Sequence, residues 1–423
     1  MIMTMMKSSN TEWLGDIPAE WDVAQIGNYY ELRNEKVSDY DFEPLSVTMK
    51  GIVPQLATAA KSDDHSNRKL VKKGDFVINS RSDRRGSCGI SPLDGSVSLI
   101  NTVMEPRGEM NPQYYNWLFH TEQFADEFYK WGHGIVDDLW TTRWQEMKKI
   151  LIVAPSPDEQ QAIADYLDET CSKIDEIIAE AKASIDEYKE LKQSVIFEAV
   201  TKGLDKNVEF IDSGDEWLGK YPQSYNIGQL SMLSNIVRGG SPRPAGDPRY
   251  YGGNISFMRI ADITKDDNIY VNSCENTITE EGLTRTRMIP PNTLLLTNSG
   301  ATLGVPKINT FETAFNDGIA AFLDLDERLN IVYVYFFLKA RTSYFLECAS
   351  MGMGQPNLNT DIIGRTKIVF PTLVEQQKVI SYLEDRCGKL NSLISEKESL
   401  IKDLESYKKS LIYEVVTGKR RVV

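Results

Sequence analysis

The chain has 423 residues, 41% hydrophobic and 26% charged, with a net charge of -14. That length predicts more than one core, the balance is that of an ordinary globular protein, and the net charge excludes a generic polyanion binder. Five cysteines without a Cys-x-x-Cys pair and three histidines exclude a zinc cluster and fit a reducing cytoplasm. No apolar run reaches membrane-spanning length, and the opening Met1–Lys7 is too short and too weakly apolar for a secretory signal.

Taken in order, the elements occur twice. Trp13-Leu14-Gly15-Asp16-Ile17-Pro18 returns as Trp217-Leu218-Gly219-Lys220-Tyr221-Pro222, 204 residues later. A strand-like run follows each opening, at Val23–Ile26 and at Asn226–Leu230. Further on, a β-rich run at Gly74–Ser80 has its counterpart at Asn292–Asn298. Aromatic helices are expected over Tyr114–Tyr129 and Val332–Phe345. Pro155-Ser156-Pro157-Asp158-Glu159-Gln160-Gln161 returns as Pro371-Thr372-Leu373-Val374-Glu375-Gln376-Gln377, now 216 residues later. Such a period is too long for a solenoid. The expected organisation is α+β: a lobe at 12–154, a helix at 155–203, a linker at 204–215, a second lobe at 216–370 and a second helix at 371–418.

The first long helix is expected over 158–202. Asp158 and Glu159 suit the positive end of its dipole, and Lys202-Gly203 stops it. Its apolar positions are Leu167, Cys171, Ile174, Ile178, Ala181, Ile185, Tyr188, Lys192, Val195 and Ala199. They alternate steps of four and three, a coiled-coil seam. Adding 216 gives Leu383, Cys387, Leu390, Ile394, Lys397, Ile401, Leu404, Lys408, Leu411 and Val415. The register is shared, with Ala181 becoming Lys397 the one change of character. Two helices with one register and pseudo-twofold symmetry are expected to pack antiparallel, as a ruler as well as a core. The lysines at 192 and 408 are expected to snorkel or to set the register. The segment 155–214 carries 6 Lys and Arg against 15 Asp and Glu, which suits a face turned to protein rather than to phosphate.

Positive charge gathers in the lobes. The first holds Arg68, Lys69, Lys72, Lys73, Arg81, Arg84 and Arg85, with Arg143 in the Trp140-Thr141-Thr142-Arg143-Trp144 turn. The second holds Arg238, Arg243, Arg249 and Arg259 on glycine-rich stretches, with Asn298 ending its β-rich run. Gln355 and Asn357 lie in the turn Gly354-Gln355-Pro356-Asn357-Leu358. Arginine can contact phosphate and read guanine, while Asn and Gln can pair with an adenine edge. A solvated surface loop or a structural turn is the plainer alternative for each. No catalytic constellation is found. Asn111-Pro112-Gln113-Tyr114 is similar to the Asn-Pro-Pro-Tyr loop of adenine methyltransferases, but it lacks one proline and a glycine-rich loop upstream. It reads as the start of the aromatic helix.

The Trp-Leu-Gly, Ile-Pro and Trp opening, the Gly354-Gln355-Pro356-Asn357-Leu358 turn, the Pro and Glu-Gln-Gln start and the Glu198-Ala199-Val200-Thr201-Lys202-Gly203 end together resemble the specificity subunit of Type I restriction-modification systems. The match covers nearly the whole chain, and the second copy fits it more closely. The resemblance implies two target recognition domains on an antiparallel coiled coil, each reading half of a gapped double-stranded DNA sequence. It implies two modification subunits that methylate adenine with S-adenosylmethionine, and restriction and translocase subunits that use ATP and Mg. No cofactor is then expected on this chain, no membrane partner, and a cytoplasmic location. A methyltransferase-only complex and a coiled-coil scaffold that reads no DNA are the alternatives weighed.

Overall fold

The computed structural model describes residues 5–58, 65–81, 84–134, 140–350 and 357–422. Two helices dominate it, Pro157–Lys202 and Leu373–Val416. At 46 residues the first is about 69 Å long, from a rise of 1.5 Å per residue. The chain divides into two units, Met1–Lys182 with Glu398–Val423, and Ala183–Lys397. Both long helices are therefore cut part-way, and the two cuts match the repeat offset to within one residue.

In the first unit the facing carboxylate of Asp175 binds Lys408. Nearer the start of its helix, Glu159 accepts from the Trp21 indole, and Trp21 also packs beside Gly418. The partners rise in number along one helix as they fall along the other, so the helices run antiparallel. The second unit repeats the pattern. Lys192 donates to Asn391 at 2.8 Å, while Gly203 and Glu375 meet around the Tyr225 hydroxyl. Asn391 is the counterpart of Asp175, and Lys408 of Lys192, at the offset of 216. The two seam lysines thus make equivalent cross-helix contacts.

Thirteen of the twenty seam residues are buried: Leu167, Cys171, Ile174, Ile178, Ala181, Ile185, Lys192, Ala199, Leu383, Cys387, Leu390, Leu411 and Val415. Tyr188, Val195, Ile394, Ile401 and Leu404 are half-buried. The burial is deepest where a lobe covers the pair. Leu167, Cys171 and Ile174 join Leu411 and Val415 in a core that also holds Trp13, Tyr114 and Phe119. Ile196, Ala199 and Val200 join Val379 and Leu383 beneath Tyr333 and Phe337.

Each lobe mixes sheets and short helices. In the first unit, Cys88–Ile90, Phe76–Asn79, Asn101–Pro106 and Tyr30–Leu32 form a four-stranded sheet in that order. In the second, Asn235–Arg238, Ile319–Leu323, Leu294–Thr297, Pro306–Asn309 and Tyr270–Val271 form a five-stranded one. The openings are closed alike. Asp22–Gln25 pairs antiparallel with Leu151–Ala154, and Asn226–Gln229 with Lys367–Phe370.

Each aromatic helix expected from the sequence is two helices. The first pair is Pro112–Phe119 and Glu122–Lys130, broken where Thr121 caps the second helix by accepting from the Phe124 amide. The second pair is Ile331–Ala340 and Thr342–Ser350, broken at Arg341. Aromatic periodicity crosses a capped break because both halves face one core.

A buried polar frame joins each lobe to its helices. Gln160 accepts from the Asn111 amide at 2.8 Å and donates to the Pro155 carbonyl. Gln376 accepts from the Asn330 amide and donates to the Pro371 carbonyl. Asn111 and Asn330 each cap an aromatic helix, and three residues on a buried tyrosine follows. The Tyr114 hydroxyl donates to the Val416 carbonyl, and Tyr333 reaches the carbonyls of Val200 and Val369. Asn111-Pro112-Gln113-Tyr114 is therefore a helix start. Tyr333→Phe should cost about 1–3 kcal/mol, because it removes the one hydroxyl proton that the buried Val200 and Val369 carbonyls share. Denaturant unfolding of the two proteins checks this.

Candidate nucleic-acid interface

The equivalent turns of the two lobes are held by equivalent bonds. The Thr142 amide donates to the Ser80 carbonyl at 3.0 Å, and the Leu358 amide donates to the Asn298 carbonyl at 2.7 Å. Arg81 bridges to Thr141 in one lobe, and Ser299 to Asn357 in the other. The frame is shared while the side chains on it differ.

In the first lobe, the half-buried Arg81 lines a cavity together with Phe119, Phe124, Phe128 and Trp140. Trp140 stacks on Tyr129 with ring centroids 5.6 Å apart, and the exposed Arg85 lies over the same Tyr129 ring, paired with Asp126. Arg84 and Arg143 are exposed. Arg68 is not part of this surface. It is 6% exposed, and its guanidinium donates to the hydroxyl and carbonyl of Ser96. Burial pushes its pKa down. Lys69 is also committed, donating to the Asn101 carbonyl at 2.6 Å, and burial pushes its pKa down too.

In the second lobe the arginines collect around one loop. Arg238 donates to the Asp317 carbonyl. Arg243 is exposed, and the next carbonyl back, that of Pro242, accepts from the Tyr251 hydroxyl. Arg259 lies over the rings of Tyr251 and Phe257. Arg249 lies over Tyr250 and is paired with Asp247, whose carboxylate raises its pKa. Two exposed arginines missed by the sequence reading, Arg285 and Arg287, join this group. The backbones there nearly touch: a Cβ on Gly240 would lie 2.0 Å from the Arg285 carbonyl oxygen. The Gly240 amide donates to the hydroxyl of Thr286, between them. Asn298 does not reach this surface, being fully buried. Asn357 is exposed, and Gln355 lies outside the described residues.

Residues 222–403 match the model of the Type I restriction modification DNA specificity domain. The Type I restriction enzyme MjaVIII specificity subunit of Methanocaldococcus jannaschii is 22% identical over 457 aligned positions, covering 100% of this chain and 98% of that protein. Over its whole length the chain is thus similar to a Type I specificity subunit, at 22% identity. The MjaIX specificity subunit of the same organism is 29% identical over 174 residues, so that match spans 40% of either protein. A solved chain from work on complex assembly and conformational transition of the type I R-M system superposes with a TM-score of 0.74 at 14% identity, covering 96% of this chain and 99% of that one. The two chains share one fold. Among the described residues, no helix is long and apolar enough to cross a membrane.

Proposed function

We propose that this chain is the sequence-reading subunit of a Type I restriction-modification complex. The lobes at 12–154 and 216–370 act as target recognition domains, each reading one half of a gapped duplex sequence. The observation that carries the reading is the pairing of one buried frame, Gln160-Asn111-Tyr114 and Gln376-Asn330-Tyr333, with two unlike arginine surfaces. A duplicated mount with different faces suits two different half-sites. Arg81, Arg84, Arg85 and Arg143 serve the first half. Arg238, Arg243, Arg249, Arg259, Arg285 and Arg287 serve the second, with Asn357 and Gln355 at its turn. Arginine supplies both phosphate contact and bidentate guanine readout. The rods dock two modification subunits and set the gap, and restriction subunits complete the assembly. Methyl transfer from S-adenosylmethionine, and the steps that need ATP and Mg, take place in those partners.

Methylome sequencing with and without the gene tests this. One gapped, adenine-methylated motif should vanish with the gene. A motif that persists, or an ungapped one, would overturn the reading.

A further inference from the structure

The second reading face is tied to the rods by a short charged strut. It begins at Arg259, the N-cap of the five-residue helix Ile260–Thr264, whose amide donates to Asp262. It ends eight residues later at Asp267. There two lysines converge on one carboxylate, Lys192 on Oδ2 and Lys339 on Oδ1 at 2.5 Å. Lys192 is the seam lysine, and its ammonium also donates to Asn391 of the facing helix. Next to it Lys307, 1% exposed, holds Asp266 through Oδ1 at 2.7 Å and through its carbonyl at 3.0 Å, and also reaches the Asn268 carbonyl. Burial acts to raise the Asp267 pKa, but Lys339 and Lys192 outweigh it and hold the carboxyl below its usual range.

Equivalent positions in the first unit are wired differently. Lys408, the counterpart of Lys192, takes its carboxylate from the facing helix, at Asp175. Where that helix has Asp175, the other has neutral Asn391. The charge that the seam omits is supplied by the lobe, through Asp267.

We propose that Asp267 is a positioning residue that fixes the angle of the second reading face on the rods, and through that angle sets which spacing between half-sites is accepted. This rests on the functional reading above. Besides the core and the polar frame, this carboxylate is the charged tie between the strut and the rod, and a swivel of the strut would part it from the poorly exposed Lys192 ammonium. Asp267→Asn keeps the size and removes the charge, so the strut gains freedom while Arg259 and its neighbours remain.

The test uses the full chain in cells carrying its native partner subunits. A plasmid library presents the two half-sites at every spacing around the preferred one, and methylation is read at each. With Asp267→Asn, methylation at spacings one base pair longer and shorter should rise about tenfold relative to the preferred spacing, the ratio one charge-assisted hydrogen bond is worth. The half-site sequences should not change, and Asp267→Glu should restore the narrow profile. Asp175→Asn removes the equivalent rod charge without touching a lobe and should leave the profile as it is. An unchanged profile in Asp267→Asn, even with uniformly lower methylation, overturns the proposal. So does equal broadening in Asp175→Asn, which would mean that any loosened rod suffices. A wild-type chain that methylates no gapped motif overturns the functional reading itself, and this one with it.

Discussion

Arg33→Met should destabilise the first unit by about 3–5 kcal/mol, the cost of breaking a buried ion pair from one side. Arg33 reaches Asp75 through Nε at 2.6 Å and Nη2 at 3.0 Å, and Nη2 also meets Glu105 at 2.6 Å. Asp75 raises the Arg33 pKa first through that hydrogen bond, against the effect of burial. The Asp75 side chain is 3% exposed and that of Arg33 14%. Asp75 cannot simply turn to water, because its carboxylate also accepts from the Lys72 amide, and its carbonyl from the Ser91 amide. Losing Arg33 therefore strands a carboxylate in the turn that feeds Phe76–Asn79, a central strand of the four-stranded sheet. Removing both charges, as Arg33→Met with Asp75→Leu, should recover a large part of the loss, since an apolar pair of similar volume is often neutral. Urea unfolding with hydrogen exchange separates the outcomes. Protection should fall in residues 68–106 and hold in 292–323. A single replacement that costs under about 1 kcal/mol would show that the pair is solvated as a surface bridge is.

The pair also marks the boundary of what the sequence makes legible. Duplication, the rods and their seam register are local or periodic signals, and all are visible in one pass along the chain. The lysines at 192 and 408 stand out because they interrupt an apolar stripe. Their partners do not, because Asp267 is 75 residues from Lys192 and Asp175 is 233 from Lys408. Charge runs mislead for the same reason. Arg68 sits in a basic stretch, yet Ser96, 28 residues on, takes its guanidinium into the interior. Arg285 and Arg287 escape notice because they stand alone in sequence and join the others only where the chain at Gly240 meets Arg285. Gln160 and Gln376 are conspicuous as repeats, but nothing local indicates that each would bind the cap of a helix about 50 residues upstream. The break at Thr121 was available in principle. A threonine followed by Glu122 is a helix-start signal that the aromatic pattern concealed.

The close approach at Gly240 makes that residue a sensitive point of the second arginine surface. Gly240→Ala should reduce reading of the second half-site by about 10- to 100-fold, equivalent to one or two lost base contacts at 1–3 kcal/mol each. The added methyl would stand 2.0 Å from the Arg285 carbonyl oxygen and 3.2 Å from the Thr286 Cα, both backbone atoms that no rotamer change can move aside. The loop that follows Arg238 and carries Arg243 must then separate from Arg285 and Arg287, stretching the Gly240 amide's bonds to Thr286 and Phe315. Stability should fall by about 1–3 kcal/mol, as overpacking does, so folding survives while the surface is rearranged. Gly246→Ala is the control on the same loop. Its φ of +78° imposes strain of about 1–2 kcal/mol, but nothing lies within 4 Å of the new methyl. Competition binding by the assembled complex, with DNA altered in one half-site at a time, reads the result. Gly240→Ala should lose discrimination at one half only, and Gly246→Ala should keep both. Equal losses in the two variants would show that loop strain, rather than the meeting of the two arginine groups, governs recognition. A loss spread over both half-sites would mean that this loop does not belong to a single reading face.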